Sequence, residues 1–502
     1  MFTPNRPIDS GDHMKNGDRR LRRRFPQTIR RCAGVLLLAA LIPGPRISLA
    51  QSDLSARTGV YDTDRPPASF FRANRMRLLA LMADSSSLLV YAAPVRPRNG
   101  DMNYRYRQDD NFWYLTGCDE SDALLLLSKN AVTITDSAGT PIRTVHEILF
   151  VSPKNPSAER WTGKTLGPGG AEELLGIECA RTTQKADLMY VQKAIGRSAV
   201  VYLPPPGEAR TGELNRILQD LAGVFKRFES FHEIRTPEGL INRLREVKSP
   251  DEIALVRKAV DISVEGHRAM LALCRPGRYE YELQAAFESA ITSRGAESVA
   301  YPSIVGSGEN STILHYLTNR KQIRSGEVIV LDCGAEYHNY AADITRTIPA
   351  DGHFTSAQRE LYDIVLKAQN EAIAMLRPGV RYFPDVQAKA TAVIRDGLLR
   401  LGVIRDSAQV SKYFIHGLGH PIGLDVHDVR SEGPLKEGEI WTVEPGIYIP
   451  EDARDVDQKY RGIGIRIEDD LLITGDGSEL LSRSLPRGPG DIEAAMAGNG
   501  KR

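Results

Sequence analysis

Apolar residues return at helical spacing in FFRANRMRLLALM, so the sequence predicts an amphipathic helix over Phe70–Met82. The pattern then changes to short, unbroken apolar runs at Ser87–Ala92 and Ala123–Leu127, the signature of buried strands. Further alternation follows at Glu147–Val151, Ala171–Leu175, Ala199–Tyr202 and Glu213–Val224, which predicts an α/β layer domain from about Pro66 to Thr236. Phe112, Trp113 and Tyr114 are assigned to its core. In Ser249-Pro250-Asp251-Glu252 a capping serine precedes proline and two acids, so a helix starts there and runs to about Cys274, before Arg275-Pro276-Gly277. Helices are also predicted over Glu280–Arg294, Ser356–Leu376 and Phe383–Leu401, with β-type segments between and after them. Helix pair, hairpin, helix pair, hairpin is the order of an α/β (α+β) fold with two pseudo-symmetric halves around a central sheet.

The first of those β segments, GEVIVLDCGAEYHNYAADITRTI, predicts strands Val328–Glu336 and Tyr340–Ile348 joined by a tight His338–Asn339 turn. In that register Asp332 and Asp343 are diagonal neighbours on one face. Two carboxylates held close inside a sheet repel and retain a proton unless a cation lies between them. Solvated aspartates at strand ends are an equal reading of this hairpin alone. Downstream, His416, His420 and His427 fall within FIHGLGHPIGLDVHD, whose glycines and Pro421 argue against a helix. Glu444 and Glu468 each end a short β-type run, in WTVEPGIYIP and GIGIRIEDDLLIT. Asp, Asp, His, Glu, Glu in tight apolar or glycine-rich settings suit a pair of divalent ions such as Mn²⁺, Co²⁺ or Zn²⁺. Two such ions about 3.5–4 Å apart polarise a carbonyl and acidify a water.

The segments IVGSGENSTILHY, VIVLDCGAEYHNYAADITRT, HGLGHPIGLDVHD, TVEPGIYI and YRGIGIRIEDD resemble the Xaa-Pro aminopeptidase (aminopeptidase P) family of pita-bread metallopeptidases. RNGDMNYRYRQDDNFWYLTG, residues 98–117, resembles that family's N-terminal domain. The resemblance spans roughly residues 65–490 and implies an aminopeptidase P-type domain over 51–236, a pita-bread catalytic domain over 237–490 and a tail over 491–502. It implies metal ligation by Asp332, Asp343, His420, Glu444 and Glu468, two divalent ions with Mn²⁺ foremost, and Asp343 and Glu468 as bridges. It further implies proton transfer by Glu444, and a pocket lined by His315 and His427, with His416 at the proline ring. Arg466 would neutralise and orient carboxylates, and Asp425 and Asp428 would be hydrogen-bonding partners. The implied substrate is a peptide with proline second. The implied assembly is a homo-oligomer, dimer or tetramer, in which the 98–117 loop could reach a neighbouring subunit. A prolidase acting on dipeptides, a catalytically silent binding protein and a metal-free creatinase-like enzyme are the other readings.

Composition adds a compartment. Seven arginines between Arg19 and Arg31 precede the apolar run Cys32–Ile42 and then Ser48-Leu49-Ala50, the layout of an export signal over residues 1–50. That run is short for a membrane span. The protein is therefore expected to be exported, to the periplasm or beyond. Lys and Arg total 65 against 64 Asp and Glu, and much of the basic excess lies in the leader. The remainder is mildly acidic, so nucleic acid and membrane surfaces are not expected partners. Cys118, Cys179, Cys274 and Cys333 are widely spaced, without a CxxC, and read as isolated buried thiols.

Overall fold

A computed structural model describes residues 56–204 and 232–498. The export signal and the helix expected over Glu213–Val224 lie outside the described residues. Helix α1 (Ala68–Leu81) buries Phe70, Phe71, Leu78 and Leu79, and also Arg75. The Arg75 guanidinium donates to both oxygens of Glu147, at 2.7 and 3.1 Å, and to the Leu115 carbonyl. A buried arginine satisfied this way fixes the helix to the sheet beneath it. That sheet begins with β1 (Ser86–Tyr91), followed by a small exposed hairpin of β2 (Pro97–Asn99) and β3 (Met102–Asn103) and by helix α2 (Asp110–Thr116). Strands β4 (Leu124–Thr135) and β5 (Pro141–Val151), helix α3 (Gly167–Leu175), β6 (Ala180–Thr182), helix α4 (Met189–Ile195), β7 (Val200–Tyr202) and β8 (Glu233–Arg235) complete it. The strand order is β6-β5-β4-β1-β7-β8.

Both faces of this sheet are covered. Leu88 and Val90 pack in a cluster with Phe71 and Trp113, whereas Leu89 and Tyr91 pack with Val191 and Ile195. Such a strand reads as a continuous apolar run, not an alternating one. Strand β4 extends beyond the expected Ala123–Leu127, because the polar Ser128–Asn130 stretch is passed by a register shift before pairing resumes at Val132. Phe112, Trp113 and Tyr114 are buried. Trp113 meets Phe71 and Tyr340 edge-on, at 5.2 and 5.9 Å, and so joins α2 to the next layer.

After α5 (Glu238–Arg245), helix α6 (Pro250–Leu273) opens at the expected Ser249 cap, which Glu252 completes as a capping box. It packs on α7 (Glu280–Thr292), and the strands β9 (Ser298–Val299), β10 (Ile304–Ser307), β11 (Val328–Asp332), β12 (Ala335–Tyr337), β13 (Tyr340–Ala341) and β14 (Thr345–Pro349) follow. A second pair, α8 (Ser356–Ile373) and α9 (Gln387–Arg400), precedes β15 (Ile440–Val443), β16 (Gly446–Ile449), β17 (Ile463–Arg466), β18 (Asp469–Ile473) and β19 (Ser478–Leu480). Helix α10 (Pro489–Gly498) closes the described chain.

Three expectations need correction. The strands expected at Val328–Glu336 and Tyr340–Ile348 are each interrupted, at 333–334 and 342–344. Gly334 shows why: a Cβ there would lie 1.7 Å from the Ala342 carbonyl oxygen, an approach closer than a strand ladder allows. The helix expected from Phe383 begins only at Gln387, since Phe383 is extended and precedes Pro384. Cys274 is only partly buried, while Cys118, Cys179 and Cys333 are buried free thiols.

Candidate active site

Each of the two hairpins in the second half of the chain breaks where it carries carboxylates. In the first, β11 pairs with β14 and Asp332 stands opposite Thr345, two residues after Asp343. The Cys333 N–H still donates to the Ile344 carbonyl across the break. The His267 Nε2–H of α6 donates to the Cys333 carbonyl at 3.0 Å, and the Asp343 N–H donates to Asp470 Oδ2 at 3.1 Å. The Tyr301 hydroxyl lies 2.7 Å from Asp332 Oδ1 and 2.5 Å from Asp343 Oδ1, so the two aspartates converge on one face.

In the second hairpin Val443 pairs with Asp469 and Gly446 with Arg466, leaving Glu444-Pro445 facing Ile467-Glu468 in the gap. Here Gln369 of α8 braces the break. Its Nε2 lies 3.1 and 3.2 Å from the Val443 and Ile467 carbonyls, and 2.9 Å from Asp469 Oδ2. Glu468 Oε2 accepts from the Thr345 hydroxyl at 2.7 Å, and this bond locks one hairpin to the other.

The histidine segment wraps over the second hairpin without regular structure. His420 donates its backbone N–H to Thr442 Oγ1. The preceding Gly419 allows this approach, for a Cβ there would lie 2.3 Å from the Thr442 carbonyl oxygen. The His420 Nδ1–H donates to the Pro421 carbonyl, which leaves Nε2 facing Asp343 Oδ2 at 3.5 Å and Glu444 Oε1 at 3.7 Å. His427 is exposed and meets the His420 ring edge-on at 4.3 Å. His416 donates from Nδ1 to the Gly417 carbonyl and accepts at Nε2 from the Tyr448 hydroxyl at 2.8 Å, so its ring is neutral. Burial holds its pKa down, at about 4. Tyr448 in turn accepts from Arg466, whose guanidinium also donates to Asp332 Oδ2 at 2.6 Å. Arg466 thus reaches the first hairpin's carboxylate, not its own neighbour Glu468. His315 is exposed on the same cleft, a cavity of about 600 Å³ floored by the carboxylates and walled by Leu314, Leu317 and Val426.

The electrostatics describe a site short of positive charge. Burial raises Asp332, lifts Glu444 to about 8 and pushes Glu468 well above the carboxylate range, with neighbouring carboxylates adding to each. Asp343 goes the other way: burial opposes ionisation most strongly, but the bond and charge of His420, with bonds from Tyr301 and Glu468, together outweigh it. His420 rises to about 9 against its burial for the same reason. Asp343, His420 and Glu468 each present a donor atom within 4.8 Å of the others. The imidazole is aimed by its Pro421 bond, as metal-binding histidines are. Four carboxylates and this imidazole therefore fit divalent cations of the hard-to-borderline class.

Tyr301, Thr345, Tyr448 and Asp470 are site residues that pattern reading does not find. Asp470 is the sharpest case, because its Oδ1 is buried without a hydrogen bond beside Asp343. Only its adjacency to Glu468 in IEDD pointed there. Asp425 and Asp428 both accept from Arg245, and Lys248 pairs with Asp428. These bonds hold the loop that carries His427.

Profiles of two protein families match the chain: the aminopeptidase P N-terminal domain over residues 71–202 and metallopeptidase family M24 over 254–475. Xaa-Pro aminopeptidase of Escherichia coli is 37% identical over 444 residues, covering 85% of this chain and 97% of that one. This chain belongs to the aminopeptidase P family. The human relative of the family, Xaa-Pro aminopeptidase 3, is 33% identical over 419 residues, 81% of this chain and 80% of its own. A zinc-substituted E. coli aminopeptidase P structure with bound product superposes with a TM-score of 0.79 at 35% identity, covering 88% of this chain and all of that one. The aminopeptidase P fold here is an N-terminal α/β domain followed by an M24 pita-bread domain.

Proposed function

We propose that this chain is a metal-dependent Xaa-Pro aminopeptidase, hydrolysing the bond between the first residue of a peptide and a following proline. The observation that carries this reading is the convergence of Asp332, Asp343, His420, Glu444 and Glu468 at the floor of an open cleft. Those five would hold two divalent ions, and Asp343 and Glu468 lie together across the hairpins. When bound, such ions polarise the scissile carbonyl and make a water acidic at neutral pH.

The remaining steps belong to the side chains. Glu444 borders the cleft with only long contacts, 3.7 Å to His416 Nδ1 and to His420 Nε2. Its carboxylate takes the proton of the attacking water and delivers it to the proline nitrogen as the amide breaks. His315 and His427 supply imidazoles to the carbonyl oxygen as it gains charge. The neutral ring of His416, held by Tyr448, borders the proline. Arg466 orients Asp332 and opposes the rise that burial causes in its pKa. Proline lacks an N–H and fixes its backbone angle, so selectivity for it comes from accepting the ring, not from a backbone hydrogen bond.

Mn²⁺ is the proposed ion, supported by the predominance of carboxylate donors. The leader over residues 1–50 supports export to the periplasm or beyond, and no helix among the described residues is long and apolar enough to cross a membrane. A homo-oligomeric state, dimer or tetramer, is proposed from the family resemblance. The activity is tested by stripping the enzyme with chelator, restoring Mn²⁺, and assaying a Xaa-Pro-Xaa tripeptide beside a Xaa-Pro dipeptide. Metal-dependent release from the tripeptide is expected. Cleavage of the dipeptide alone would make it a prolidase, and no turnover of either would overturn the peptidase reading.

A further inference from the structure

The turn of the first hairpin carries a second cluster of donors, on residues that the proposed reaction does not use. His338 sits at this turn in the left-handed region, with φ at 45°, a conformation that histidine adopts more readily than most side chains. It is 6% exposed. Its backbone N–H donates to Glu297 Oε2 at 2.9 Å. The ring Nδ1 faces Asp62 Oδ2 at 3.5 Å and Glu297 Oε1 at 3.4 Å, and Nε2 faces Asp64 Oδ1 at 3.4 Å. Nε2 is buried and makes no hydrogen bond. Asp62 and Asp64 belong to the irregular segment that leads into α1, and the Tyr337 hydroxyl holds Asp64 by its other oxygen. One donor atom from each of Asp62, Asp64 and His338 lies within 4.8 Å of the others.

The two aspartates also approach one another closely enough to share a proton. Burial and the hydrogen bond to Asp64 raise Asp62, while that same bond lowers Asp64. The two exposed carboxyl groups thus meet over a buried imidazole nitrogen that makes no hydrogen bond. We propose that Asp62, Asp64 and His338, with Glu297 beside them, form a binding site for one divalent cation of the zinc class, separate from the cleft. One imidazole with two or three carboxylates suits Zn²⁺, whereas Ca²⁺ and Mg²⁺ favour all-oxygen shells. The ion would fasten the segment before α1 to the turn whose strands lead back to Asp332 and Asp343. It would act on structure, not on the reacting bond.

The test counts metal. Full-length enzyme, stripped and then dialysed against Zn²⁺, is compared with the double variant Asp62→Asn, Asp64→Asn and with His338→Asn, the latter chosen because asparagine tolerates positive φ. Each variant is expected to retain one equivalent of zinc fewer than the parent and to keep its tripeptide turnover. Because the readout is a difference, it does not depend on what the cleft holds. Equal zinc content in parent and variants would overturn the site. Loss of both the extra equivalent and the turnover would overturn its separation from the cleft.

Discussion

The two hairpins of the catalytic domain solve one structural problem with different chemistry. Each must break its ladder to turn a pair of carboxylates inward, and each break leaves backbone carbonyls that a neighbouring helix must satisfy. In the first, the imidazole of His267 does this for Cys333; in the second, the amide of Gln369 does it for Val443 and Ile467. The carboxylates differ in the same sense. Asp332 and Asp343 are gripped by Tyr301, Arg466 and a backbone bond to Asp470. Glu444 has only long contacts to two histidines. A carboxylate gripped on several sides is suited to holding a cation, and a loosely held one is suited to moving a proton.

The comparison breaks first at the carboxylates. Asp343→Ala is expected to abolish both metal retention in the cleft and tripeptide turnover. Glu444→Gln, which keeps an oxygen donor, is expected to lower kcat by roughly 10²–10⁴-fold while retaining metal. Equal metal loss in the two variants would remove the division of labour between the hairpins. Arg466→Lys should cost about 10–100-fold in metal affinity or activity, since a single ammonium cannot serve Asp332 and Tyr448 together. Activity measured across a metal titration reads this directly.

The braces give smaller effects on stability. Gln369→Leu strands two buried carbonyls and is expected to destabilise the fold by about 1–3 kcal/mol in denaturant unfolding. His267 sharpens the contrast through pH. Complete burial, with the nearby Arg346 charge adding to it, depresses its pKa to about 3 from an ordinary 6.5. Between those values the unfolded chain binds a proton that the folded chain refuses, so stability falls as pH drops below 6.5. The slope reaches about 1.4 kcal/mol per pH unit. His267→Gln keeps a donor for Cys333 and should flatten that part of the acid limb, measured as denaturant midpoint against pH. An unchanged slope would assign acid sensitivity to other groups.

The sequence made visible what repeats in period or stands next to a stop signal. The α6 start at Ser249 and the five side chains that converge on the cleft were legible because glycines, prolines and short apolar runs frame them. The strand breaks were not, since apolar periodicity continues straight through 333–334 and 342–344. Nor were Tyr301, Gln369 and His267. A tyrosine between strands, or a polar residue on a buried helix face, acquires its role only from a partner distant in the chain. The reach of Arg466 to Asp332 was half legible: a role beside carboxylates was expected from the resemblance, but its partner lies across the domain.

That long-range construction carries a consequence for assembly. Thr345 and Glu468, joined by one hydrogen bond, come from opposite halves of the catalytic domain. Neither half alone presents all five of the converging side chains, so ions held by the five together would be taken up only after the halves have docked. The chain must therefore bring four carboxylates together with only Arg466 and His420 to offset them. Every ion bound afterwards draws the equilibrium toward the docked form, by an amount that grows with its free concentration. The metal supply of the compartment thus acts as a folding input: the same polypeptide would be a marginal protein where ions are scarce and a robust one where they are plentiful.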